Sequence, residues 1–190
     1  MKFKVITLAA LLVGATAASS QNVTGGWTPE LRPFVGVFMP TGALRDDFKS
    51  ATTLGAQGAL EISSRFHLVG TASWTHGHQK FGLGTDRVDL WQYDAGIEGN
   101  IIHNLTPSWM LRPFAGIGAG GRTSDYKAEG LGTKSCTAGY GALGTELQRG
   151  TVALRLEGRD YLSCYESPIT SSKKTRNDMT VAFGLAFHLR

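Results

Sequence analysis

The sequence predicts an all-β protein: an eight-stranded antiparallel up-and-down β-barrel that crosses a membrane. Three observations carry that expectation. The last segment alternates strictly, with Met179, Val181, Phe183, Leu185, Phe187 and Leu189 on one face and Thr180, Ala182, Gly184, Ala186 and His188 on the other. That is the pattern of a strand with one large apolar face. Seven further segments of this kind precede it, joined by connections that are alternately long and short. Finally, Lys49, Lys80, Lys127, Lys134, Lys173 and Lys174 all fall in connections or at their edges. A water-soluble barrel commonly dresses its outer wall with lysine. A barrel in lipid turns its apolar face outward and keeps the polar face in the lumen.

The chain opens with Lys2 and Lys4, an apolar run Val5–Val13 and the small residues Ala15-Thr16-Ala17. This is the pattern of a secretory leader. It is expected to occupy residues 1–20, with cleavage between residues 17 and 21, leaving 21–190 as a single barrel domain. The apolar run is too short to span a bilayer as a helix, and no later segment is long and apolar enough either. A net charge of +4 gives no case for a nucleic-acid partner. With 25 Gly and 6 Pro the composition suits close-packed strands.

Taken in order, the strands are expected at about 31–39, 52–62, 65–75, 88–100, 109–120, 135–147, 151–164 and 179–190. Pro40-Thr41-Gly42 ends the first, and a charged connection with Arg45, Asp46, Asp47 and Lys49 follows. Ser63-Ser64 is a tight turn. A long Gly-containing connection reaches Asp86, and a short one holding a Pro spans 103–108. A polar loop leads to Lys134, Gln148-Arg149-Gly150 turns the chain, and a polar loop spans 166–177. Long and short connections therefore alternate. That is the rule for barrels with short periplasmic turns and longer outer loops, and it places both ends of the domain on the periplasmic side. One internal echo, Leu31-Arg32-Pro33-Phe34-Val35-Gly36-Val37 against Leu111-Arg112-Pro113-Phe114-Ala115-Gly116-Ile117, marks recurrence of one strand design.

Parity assigns the faces. The polar face of the fourth strand carries Asp94 and Glu98, that of the seventh Arg155, Glu157 and Arg159. Arg32 and Arg112 come from the first and fifth strands, Glu61 and Glu146 from the second and sixth. An eight-stranded barrel is just wide enough for side chains to fill it, so these charges are expected to pair across the lumen and plug it. Trp74, Trp91, Trp109 and Tyr161 stand near strand ends, where aromatic girdles belong.

With signal, strand count, loop alternation and terminal strand in place, the chain resembles the small eight-stranded outer-membrane β-barrels of Gram-negative bacteria, the OmpA/OmpX-like type. The resemblance covers the whole mature chain. Gly184-x-x-Phe187-x-Leu189 is similar to the family's C-terminal assembly signal, although this chain ends on Leu189-Arg190 where the family commonly ends on Phe. The resemblance implies an outer-membrane location, contact with outer-membrane lipid and lipopolysaccharide, and recognition by the barrel assembly machinery. A monomer is expected. A mild excess of Arg and Lys in the outer loops suits anionic lipopolysaccharide.

No motif names a reaction. His76-Gly77-His78 lacks the further ligands of a metal site, and no cofactor is expected. Gly116-x-Gly118-x-Gly120-Gly121 follows a strand with no helix after it, so it reads as small residues admitting neighbouring side chains. His67, Ser73 and His76 supply types for a triad without any stated mutual reach. The expected role is therefore structural or in surface interaction through the outer loops. A narrow channel for small solutes is the alternative, and a lipid A-modifying enzyme the second. Cys136 and Cys164 lie within two residues of direct opposition across a hairpin turning near Arg149, and export favours disulfides. A bridge at the outer rim is expected, with a bulge near Gly158-Arg159-Asp160 to bring the two onto one face.

Overall fold

A computed structural model describes residues 28–41, 48–78, 87–127, 132–166 and 173–189. The leader at 1–20 lies outside the described residues, as do Arg45, Asp46, Asp47, Lys80, Asp86 and Arg190.

The period-two segments become strands: β1 (Pro29–Pro40), β2 (Ala51–Ser63), β3 (Phe66–His78), β4 (Arg87–Asn100), β5 (His103–Thr106), β6 (Trp109–Tyr126), β7 (Thr133–Arg149), β8 (Val152–Glu166) and β9 (Lys173–His188). All pairings are antiparallel: consecutive strands pair except β4 and β5, β4 pairs with β6, and β1 pairs with β9. The eight long strands are thereby closed into a barrel with no free edge among them. β5 is a short ribbon on the foot of β6, pairing His103 with Leu111 and Asn104 with Met110. The barrel thus has eight staves, as the sequence predicts, and the short ribbon is an addition to the expected turn.

The outer parts of the staves are longer than expected. β6 runs to Tyr126 and β7 starts at Thr133, with Ser124 opposite Lys134 and Asp125 opposite Thr133. β9 starts at Lys173, and β3 continues to His78. These extensions are rich in polar residues. Beyond the lipid no face has to be apolar, so the sequence there shows no period.

The wall is apolar outward. Leu31, Val35, Leu54, Leu68, Ile97, Leu154, Leu156 and Phe183 are exposed, and Ile117 and Leu143 reach 73% and 68%. Trp74 and Trp91 pack side by side outside the barrel, ring centroids 6.3 Å apart. Trp109 stacks under Arg149 at the short-turn end, 5.3 Å away. Tyr161 corrects the girdle reading. It is 2% exposed and faces the lumen, because it shares parity with Arg159 on β8.

The echoed segments have one local structure. Phe34 points inward over Gly55 of β2, and Phe114 inward over Gly144 of β7; each glycine is the ring's direct cross-strand partner. A Cβ at either glycine would collide with the ring. Tyr140 covers Gly118 in the same way. The glycine run of β6 thus makes room for aromatic side chains in a narrow lumen.

Candidate functional site

Inside the wall the side chains are charged. Arg32, Asp94, Glu98, Arg112, Glu146, Arg155, Glu157 and Arg159 are all buried within the barrel. Alternation along β1, β4, β6, β7 and β8 places them there. Barrel closure then decides which of them meet, and their contacts fall into tiers along the axis.

At the short-turn end, Glu30 holds Arg32 at 2.5 Å and His188 Nδ1 at 2.8 Å. Arg112 approaches Glu30 and Glu146, each at 3.8 Å. Arg112 also lies 3.2 Å from His67 Nε2, and Asn100 lies 3.1 Å from His67 Nδ1. His67 Nε2 also stands 3.4 Å from Glu30 Oε1, so this imidazole lies between the Glu30 carboxylate and the Arg112 guanidinium.

The middle tier centres on two arginines. Arg155 contacts Glu98 at 2.5 Å, Glu157 at 2.6 Å, and Glu146. Its guanidinium lies 3.6 Å over the Phe114 ring. Arg159 binds Glu157, Asp94 at 2.9 Å and Thr71 at 3.0 Å, and stacks on Tyr140 at 4.5 Å. Gln57 donates to Glu157 at 3.2 Å, and Tyr161 donates to Asp94 at 3.0 Å. Each charge therefore has several partners, which is what makes burial of ions tolerable. Nearer the loop end, Arg122 binds Asp178 and donates to Gln92 Oε1 at 2.7 Å.

Several expectations need correction here. Glu61 is only half-buried and forms no ion pair among the described residues. It adjoins a register shift between Glu61 and Ser63 at the end of β2, where water competes; Glu30 of β1 supplies the inward carboxylate at this end instead. Arg122 is a lumen residue of β6, not part of a loop, because the strand continues past the glycine run. Glu30, His67, Arg122, Asp178 and His188 were not assigned to the network by sequence. Parity with Arg32, Arg112 and Ala182 was the signal that could have found Glu30, Arg122, Asp178 and His188.

Cys136 and Cys164 form a disulfide with Cα atoms 5.7 Å apart, inside the usual span. No bulge aligns them: β7 and β8 pair without a shift from Val152 to Ser163. The two residues meet diagonally across the rim, and Asp160 stays on the outer wall, where Asn177 approaches it at 3.5 Å. Gly184 faces inward against Phe34, while Phe187 of β9 lies on the outer face and Leu189, just past its end, is exposed. His67 faces the lumen, whereas His76 faces out, so the triad types of β3 do not converge. His76 instead binds Asp89 at 2.8 Å, with Lys127 3.2 Å from the same carboxylate. Partial burial raises the Asp89 pKa, but the hydrogen bonds from His76 and Lys127 outweigh it and hold the carboxyl below its ordinary range.

No protein-family model matches the sequence, and no curated protein does. Solved structures do match. Neisserial surface protein A is 9% identical with a TM-score of 0.56, covering 85% of this chain and 97% of its own. The outer membrane protein OprG of Pseudomonas aeruginosa is 15% identical with a TM-score of 0.51, covering 90% and 99%. The chain therefore has the fold of the small bacterial outer-membrane barrels, and its apolar outer wall fits it to that membrane.

Proposed function

We propose that this chain is a non-catalytic outer-membrane barrel, acting structurally and at the cell surface through its four outer connections, with its lumen closed by ion pairs. The observation that supports closure is the middle tier. Arg155 and Arg159 extend from β8 to carboxylates on β4 and β7, at distances of 2.5–2.9 Å for Glu98 and Asp94. A continuous water path would require these pairs to part, leaving buried charges uncompensated. Lipopolysaccharide is the natural neighbour of the outer connections. Gly184, Phe187 and Leu189 are the residues offered to the assembly machinery, and the barrel is monomeric.

Purified, folded protein in planar bilayers tests the closed lumen. The expected record shows no steady current, and reproducible open-channel steps would replace this reading with the narrow channel. Lipid A from cells overproducing the protein is expected to have an unchanged mass spectrum. A new lipid A species would instead assign an enzyme.

A further inference from the structure

We propose that the outer mouth of the barrel binds a small amphipathic anion, such as an aromatic or short aliphatic carboxylate. Above the Arg122–Asp178 pair the lumen changes character. Phe38, Phe48, Val88 and Tyr126 form a buried apolar cluster, with Leu90 packed against it. These residues border a cavity of about 110 Å³. A dry apolar cavity of roughly 150 Å³ takes up benzene, so this space is of the order needed for one ring or a short chain.

The polar part of the lining is one-sided. Arg122, Lys49 and Lys134 contribute to it, together with hydroxyl groups, and no Asp or Glu lines the cavity among the described residues. Arg122 is 7% exposed and its guanidinium is held by Asp178 at the floor of the cavity. Lys49 is exposed at its rim. A carboxylate would meet the Lys49 ammonium in a charge-assisted hydrogen bond, while the rest of the molecule lies against Phe38 and Val88. The Cys136–Cys164 bridge borders the same cavity and ties β7 to β8 there, so that part of the wall is pre-organised for a ligand.

The test uses the mature, folded protein in lipid nanodiscs, with benzoate as the probe and benzamide as its neutral counterpart. Binding is read from the Val88 methyl resonances and, independently, by calorimetry. Benzoate is expected to saturate the Val88 shift with a dissociation constant on the order of 1 mM, ordinary for so small a ligand. Benzamide is expected to bind about tenfold more weakly. Val88→Phe, which fills the cavity, is expected to abolish binding in a barrel that still shows heat-modifiable mobility. Lys49→Gln, at an exposed position, is expected to weaken benzoate several-fold and leave benzamide unchanged. Equal binding of the two probes, indifference to Lys49→Gln, or no saturable shift at Val88 would each overturn the proposal.

Discussion

Replacing Glu157 by Ala tests whether the lumen charges hold the barrel together. The carboxylate sits between two guanidiniums, 2.6 Å from Arg155 and in contact with Arg159, and accepts from Gln57. Burial disfavours all of these groups singly, and losing one partner of a buried pair typically costs about 3–5 kcal/mol. The loss here is moderated, because Arg155 keeps Glu98 and Glu146 and Arg159 keeps Asp94. The expected destabilisation is therefore near the lower figure, about 3 kcal/mol. With a urea dependence of about 1–3 kcal/mol per molar, the unfolding midpoint should fall by roughly 1–3 M. Unfolding is followed by tryptophan fluorescence in lipid vesicles, beside Lys49→Ala as an exposed control that should move the midpoint little. A double-mutant cycle of Glu157→Ala with Arg159→Met should show coupling of about 1 kcal/mol or more, because the second change removes the cation left short of a partner. If Glu157→Ala unfolds within about 0.5 kcal/mol of wild type, the ion pairs do not carry the lumen, and the argument for closure falls with them.

The outward apolar belt predicts that the folded protein requires detergent or lipid and migrates differently on a denaturing gel before and after boiling; a mature chain that folds and stays soluble without either would contradict the membrane reading. Alkylation and mass spectrometry without reductant should find Cys136 and Cys164 joined, and two labelled thiols would reject the bridge. Gly144→Ala should destabilise by about 1–3 kcal/mol through overpacking, since its Cβ would meet the Phe114 ring and the Leu156 carbonyl. Gly141→Ala, with open space around its Cβ, should be nearly neutral in the same urea titration. Asp89 contributes to stability only while ionised, and its pKa is lowered on folding. That contribution should be present above the ordinary carboxylate range and be lost as the pH falls through the lowered value; Asp89→Asn should remove this part of the acid dependence, modestly because the site is near the surface.

What the sequence determined by itself is the face of each residue in the lipid-crossing part of a stave. The pleat has a period of two, and lipid demands an apolar side. Arg155, Glu157 and Arg159 against Leu154 and Leu156 were therefore legible as lumen against wall, and so were the Arg-x-Phe segments of the first and fifth staves. Beyond the lipid that demand ends. For this reason Arg122 was hidden in an apparent loop and Asp178 fell just outside the expected last strand, although both stand on regular strands. Pairing within the lumen was beyond any reading of single strands. Arg32 meets Glu98, and Gln57 meets Glu157, across large sequence separations. Those meetings depend on how the staves are staggered when β1 closes onto β9. Register between strands also set Cys136 diagonally against Cys164 with no bulge, and let Glu30 rather than Glu61 supply the carboxylate at the short-turn end. Parity is a local property of the chain, whereas register around a closed barrel is shared by all its strands, so only the tertiary structure decided it.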